Sequence, residues 1–187
     1  LTYASSFFNW GPSAGASIPH PHYQMLTLPI IPPEVAASLR GSEAYYRKHK
    51  RCAHCDIIRF ERREKKRILR EDAHSLALAP FVSREPFIIQ IFPKRHLPYF
   101  ERAAPSAIRS AAQMLQYVLR KVKKNLNDVD VNFFIHSAPL ARQSRYGHYH
   151  WHIEVIPVIS VQAGFELSTH LEINVVDPDN AVRILKR

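Results

Sequence analysis

His20, His22 and Gln24 alternate through the pentapeptide His20-Pro21-His22-Tyr23-Gln24. In an extended strand, side chains at i, i+2 and i+4 share one face. Two imidazoles and a carboxamide are therefore expected to project together. Imidazole is a nucleophile and a leaving group near neutral pH. A carboxamide donates hydrogen bonds but does not act there as acid or base. The combination suits attack on phosphorus, which asks chiefly for positioning and for donors to the phosphate oxygens. A loop of small residues, Gly11 to Ser17, lies just upstream. The backbone amides of Gly15 and Ala16, with Ser17 and Gln24, are the expected donors. The two prolines mark an edge strand, or one entered through a kink. The plainer alternative is a pair of hydrogen-bonding histidines beside a turn.

The second chemical signal is Cys52-x-x-Cys55, the only cysteines in the chain. Two cysteines are too few for a disulfide framework, and the spacing is that of a chelating pair. Zinc takes thiolate and imidazole ligands in a tetrahedron. His96 follows an apolar strand, in a turn where it can face inward. His150 lies on an alternating strand. A structural zinc site of Cys52, Cys55, His96 and His150 is expected, and it is no zinc finger because its histidines are far apart. The alternative is a reduced pair in a turn; a thioredoxin-like role lacks the flanking strand and helix. His148, His150 and His152 are expected on one strand face. His136 ends a strand opposite them, while His49, His54, His74 and His170 read as surface or locally bonded residues.

The elements that must position these groups follow from periodicity. A loop and then a strand, Tyr23 to Ile31, end at Pro32-Pro33, and a helix runs from Val35 to Lys50. Strand-like stretches cover Arg67–Ala79 and Pro86–Pro93; the second is almost wholly apolar and so central. Ile108, Ala111, Leu115, Val118 and Val122 predict a helix over Pro105–Asn127. Strands are expected at Val131–Ile135, His148–Val158 and Glu172–Val176, and a closing helix at Ala181–Lys186. The 187 residues suit one ordinary domain or two small ones.

The formal charge of +10 favours an anionic partner. The basic residues crowd at Arg47–Arg51, Arg59–Arg70 and Arg120–Lys124 with few aromatics between them. That pattern fits solvated helix faces and a phosphorylated small substrate better than nucleic acid. No apolar run approaches the roughly 18 residues of a membrane helix, and no signal peptide is visible. With reduced thiols, a cytoplasmic location is expected. A non-catalytic nucleotide- or RNA-binding module is the reading from another class, and it predicts strong salt dependence.

One order of features occurs twice. Phe7-Phe8-Asn9, a loop, His20-x-His22-x-Gln24 and a strand ending in proline are followed later by their counterparts. These are Phe134-Ile135-His136, a loop, His150-x-His152-x-Glu154 and a strand ending at Pro157. The repetition reads as an internal duplication. It divides the chain into residues 1–45, the end of a first unit, and 46–187, a second unit. The first repeat has only eight residues before its loop and is expected to be incomplete.

These residues resemble the galactose-1-phosphate uridylyltransferase branch of the histidine-triad superfamily. The first copy carries Asn9-x-Gly11, Gly15-Ala16-Ser17 and His20-Pro21-His22-x-Gln24. The second carries Cys52-x-x-Cys55, Pro80-x5-Pro86-Phe87, Pro93-Lys94-x-His96, His136-Ser137-x-Pro139, His150-Trp151 and Gly164-Phe165-Glu166. The resemblance implies an α+β fold of two related units, each a mostly antiparallel sheet with packed helices. It implies that His22 attacks the α-phosphorus of a nucleoside diphosphate sugar and holds the nucleotidyl group as a phosphoramidate. Sugar 1-phosphate leaves and a second sugar 1-phosphate attacks, with ping-pong kinetics. Asn9, Gly15, Ala16, Ser17 and Gln24 would bind substrate. Hydrolase relatives tend to carry a third histidine where Gln24 stands. The implied activity is UDP-glucose–hexose-1-phosphate uridylyl exchange in galactose metabolism, with zinc in the second unit and a homodimer as assembly. A phosphorylase of ADP-glucose or of a dinucleoside polyphosphate is the alternative within the superfamily. Ile88, where relatives often show an acid, and Ser168-Thr169-His170 depart from the pattern and bear on substrate identity.

Overall fold

The computed structural model describes residues 1–161 and 163–187. Seven strands form one antiparallel sheet in the order β2-β1-β6-β7-β5-β4-β3. They are β1 (Tyr3–Trp10), β2 (Tyr23–Leu28), β3 (Ile68–Glu71), β4 (Ser75–Leu78), β5 (Ile89–Pro93), β6 (Val131–His136) and β7 (His152–Pro157). The helices are α1 (Pro33–His49), α2 (Ala53–Glu64), α3 (Pro105–Asn125), α4 (Gly164–Thr169) and α5 (Pro178–Leu185).

Strand alternation divides the sheet into two unequal faces. On one, Phe8, Ala77, Ile89, Ile91, Phe133, Ile153 and Val155 pack against Met114, Val118 and Val122 of α3 and Val182 and Leu185 of α5. On the other, Leu76, Leu78 and Phe92 receive Ile58 of α2. Strands β4 and β5 are thus covered twice, which is why their sequence reads as continuous apolar runs. Helix α2 stops short of β6, β1 and β2, so the second face lies open there. Helix α1 packs Val35 and Leu39 with Tyr3, Tyr99 and Tyr149 in a separate cluster.

Several expectations are corrected. The first 22 residues are not all loop, since β1 precedes the small-residue turn. Strand β2 ends at Leu28, three residues early. His20 and His22 lie just before β2, not within it. Arg67–Ala79 is a hairpin of β3 and β4. Cys52 and Cys55 open a helix that the sequence pattern does not reveal: α2 is highly charged, and its inward stripe is only Ile58 and Glu61. His148–Trp151 is irregular chain rather than alternating strand, held by Tyr149 N–H to Tyr146 O at 2.9 Å and Trp151 N–H to Leu97 O at 3.0 Å. His148, Tyr149, His150 and Trp151 are all buried, whichever way each points. Glu172–Val176 forms no strand among the described residues; Asn174 ties it to the Ser83 carbonyl at 3.0 Å.

The duplication has a geometric form. Phe7 pairs with Gln24 in β1–β2, and Phe134 pairs with Glu154 in β6–β7. Phe8 pairs with Tyr23, and Ile135 with Ile153. At the junction Phe7 opposes Phe134, while Ser6 opposes Ile135 and Phe8 opposes Phe133. Phe7 thus faces its own repeat counterpart and the pairs on either side of it exchange partners, which is the pattern of a local twofold passing through Phe7–Phe134. The first copy contributes two strands and the second five, and the sheet runs unbroken between them.

A buried ion pair fastens the far edge. Arg67, just before β3, donates to Glu61 of α2 at 2.9 Å and to Asp179 of α5 at 2.9 Å. Replacing Arg67 by alanine leaves Glu61 buried without its cation, a loss of about 3–5 kcal/mol for a broken buried pair. Urea denaturation of Arg67→Ala is expected to show that loss as a lower midpoint at unchanged slope; an unchanged midpoint would refute it.

Candidate active site and metal centre

The ring of His22 is fixed by its own neighbour. Its Nδ1 lies 3.0 Å from the His20 carbonyl oxygen. A carbonyl only accepts, so Nδ1 carries the proton and donates. The lone pair of the neutral ring is then on Nε2. The His20 ring stands beside it, with centroids 5.7 Å apart. His22 is half-buried and His20 exposed. By strand parity Gln24 faces the open side of the sheet, together with Phe7 and Asn9 of β1 and Asn132 and Phe134 of β6, and His22 lies two residues before it. A cleft of about 440 Å³ lies on this side, lined by Phe7, Asn9, Ser13, Asn132, Phe134 and Glu85 among others. Burial pushes the Glu85 carboxyl upward.

The small-residue loop is a tight turn anchored to β6. Gly11 has φ 87°, in the region that favours glycine. The Gly15 amide donates to Pro12 O at 3.0 Å and the Ala16 amide to Gly11 O at 3.1 Å. Those two amides close the turn rather than standing free for phosphate oxygens, which corrects the expectation placed on Gly15 and Ala16. Asn9 and Gln24 lie on the open face, Asn9 in the cleft lining and Gln24 opposite Phe7.

Cys52, Cys55, His96 and His150 come together as the spacing predicted, with one donor atom from each within 4.8 Å of the others. Both rings turn the same way. His150 Nε2 donates to Pro93 O at 2.9 Å and His96 Nε2 to Gly147 O at 2.9 Å. Each Nδ1 is left facing Cys55 Sγ, at 3.5 Å and 3.4 Å. A tetrahedral zinc with ordinary bond lengths places S and N ligands about 3.5 Å apart. The carbonyl acceptors are the outer shell that orients imidazole ligands. The donor set therefore fits the metal. The Cys55 contact holds the Cys52 thiol far below its ordinary value, and the Cys52 contact pushes the Cys55 thiol up. The Cys52 contact raises His96, whereas burial lowers His150.

A third group gathers around His136, which the sequence places at a strand end opposite the second histidine cluster. His136 stacks on His152 with centroids 4.5 Å apart, and both approach Glu154 on the open face. Gln90 donates to Glu154 at 2.7 Å. His54, assigned to the surface, instead lies over His152 at 5.1 Å. Burial lowers both His136 and His152. The available signal was register: in the duplication His136 corresponds to Asn9 and His152 to His22. The correspondence extends to bonding, since His152 Nδ1 donates to His150 O at 3.1 Å. His152, unlike His22, is sealed beneath α2.

Known proteins match this arrangement. The family described as a domain of unknown function, DUF4921, matches residues 1–186. An ADP-glucose phosphorylase of Arabidopsis thaliana is 34% identical over all of this chain and 52% of its own length. A galactose-1-phosphate uridylyltransferase of Thermotoga maritima is 30% identical, covering 100% of this chain and 60% of the relative. The chain thus spans about half the length of the curated relatives it matches. The crystal structure of an Arabidopsis thaliana ADP-glucose phosphorylase with bound ADP-glucose superposes with a TM-score of 0.91 at 32% identity, covering 100% of this chain and 59% of that one. A Zn-bound histidine triad family protein from Mycobacterium smegmatis shares the fold at 19% identity and a TM-score of 0.51, covering 72% of this chain and 90% of that one. With its paired strands, its repeated His-x-His hooks and these relatives, the chain belongs to the DUF4921 family, on the galactose-1-phosphate uridylyltransferase branch of the histidine-triad fold.

Proposed function

We propose that this protein transfers a nucleotidyl group from a nucleoside diphosphate sugar to a phosphate acceptor through His22. The observation that carries the reading is the Nδ1 bond of His22 to the His20 carbonyl, which leaves Nε2 as the nucleophilic lone pair. Nε2 attacks the α-phosphorus, the phosphoanhydride bond breaks, and sugar 1-phosphate departs with the electron pair. A phosphate oxygen of the acceptor then displaces His22 and restores the free ring. Splitting the exchange in two makes one site serve two similar displacements. Gln24 and Asn9 donate to the phosphate oxygens, and Gln24 supplies no proton to a leaving group.

Two substrate pairs compete. Similarity to the Arabidopsis ADP-glucose phosphorylase favours adenylyl transfer to inorganic phosphate. Similarity to the Thermotoga uridylyltransferase favours uridylyl exchange between hexose 1-phosphates, the substrates first expected. Incubating the full chain with ADP-glucose or UDP-glucose, followed by intact mass, separates them. One nucleotide adds AMP to the protein, the other UMP; no adduct with either would end the proposal.

We assign zinc to the Cys52, Cys55, His96 and His150 site, where it would join the start of α2 to the turns after β5 and before β7. The metal supplies cross-linking rather than chemistry at His22. Reduced thiolate ligands suit the cytoplasm. Among the described residues no helix is long and apolar enough to cross a membrane.

A further inference from the structure

We infer that Asn132, on β6, decides which end of the Asn9 carboxamide faces the cleft, and so acts as a positioning residue for phosphate binding. The inference rests on the nucleotidyl-transfer reading above.

The argument is one of donors and acceptors. One atom of the Asn132 amide lies 2.8 Å from the Ala14 carbonyl oxygen and 2.8 Å from the Asn9 amide. The Ala14 carbonyl only accepts, so the Asn132 atom is the NH2 group. The Asn9 atom facing it must then be the carbonyl oxygen. The Asn9 NH2 is consequently turned away from Asn132. Asn9 and Asn132 both line the cleft; with the Asn9 oxygen occupied by Asn132, the NH2 is the end of that carboxamide left for a phosphate.

The same strand holds the rest of the loop. Asp130, two residues earlier on the same side of the chain, accepts from Ser13 N–H at 2.6 Å. A Cβ at Gly11 would come within 1.8 Å of the Asp130 carboxylate. Asp130, just before β6, and Asn132, on it, therefore give the second repeat two grips on the small-residue turn of the first. One bonds its backbone, and the other orients its donor.

The test uses the full chain and two readouts, the single-turnover rate of protein nucleotidylation at saturating nucleotide sugar and calorimetric binding of ADP or UDP. In Asn132→Asp the new side chain has no N–H, takes the Asn9 NH2 for itself, and turns the Asn9 oxygen toward the phosphate. The rate is expected to fall about 100-fold, the scale of a lost oxyanion donor. In an Asn9→Ala background the same change is expected to cost less than about threefold, because residues acting through one another are not additive. Asn132→Ala, which frees Asn9 to rotate, guards against a folding defect and is expected to cost about tenfold. Asn132→Asp at the wild-type rate, or an equal loss with and without Asn9, overturns the inference. If the wild type takes no label, the His22 reading fails by itself and binding decides. Weaker nucleotide binding in Asn132→Asp that vanishes in the Asn9→Ala background supports the orientation; unchanged binding overturns it.

Discussion

His22→Ala is expected to stop nucleotidyl transfer almost completely, with turnover falling by about 10⁴-fold or more, as it does when a covalent nucleophile is removed. No other imidazole can replace it. Its repeat counterpart His152 has the same bond to a carbonyl two residues back, but is buried beneath α2 and stacked between His136 and Phe92. His20 stands nearest, yet its carbonyl, not its ring, is what orients His22. Intact mass after exposure to nucleotide sugar is the direct measurement: the wild-type adduct should be absent from His22→Ala. An adduct of undiminished yield would place the nucleophile elsewhere. The fold should be little affected, because the ring is half-exposed and makes its one bond to local backbone. An unchanged melting temperature is therefore part of the expectation.

Loss of the metal should act oppositely, on stability first. Cys52 is buried, and its site is the point where the N-terminus of α2 meets the chain on both sides of the central strands. In Cys52→Ser, zinc measured by plasma mass spectrometry is expected to fall from about one per chain to below about 0.1, since a tetrahedral site rarely survives with three ligands. Zinc binding is folding free energy where the site is absent from the unfolded chain. A loss of several kcal/mol would lower the melting temperature by about 10 °C or more for a chain of this size. Chelation of the wild type should reproduce the shift, and zinc should reverse it. A wild-type protein grown in metal-replete medium that holds no zinc would refute the assignment, as would a Cys52→Ser variant that keeps it.

The residues with unusual chemistry were legible in the sequence because their spacing restricts them. Cys52 and Cys55 are a chelate-sized pair, and the sequence puts His96 in the turn after an apolar strand and His150 on an alternating strand. The structure brings all four together, His150 from irregular chain before β7. The duplication was legible for the same reason, and the two hairpins pair in the same register. What stayed hidden depended on long-range neighbours. The inward stripe of α2 is one apolar residue and one paired carboxylate, and Arg67 is needed to explain the carboxylate. The Gly15 and Ala16 amides looked free because their acceptors, Pro12 and Gly11 carbonyls, are set by turn geometry. His148 to Trp151 looked like an alternating strand, but aromatic and imidazole rings there are buried on every side. Asn132 carries no motif at all; its importance comes from lying across the sheet from Asn9.

The twofold through Phe7 and Phe134 has a historical consequence. A copied hook begins with two equivalent rings, and both cannot stay equivalent once one half of the sheet acquires a roof. On the proposed chemistry the roofed ring is free to drift toward architecture. The unroofed ring then keeps the reactive role, and with it the need for a sibling strand to keep its cradle in shape.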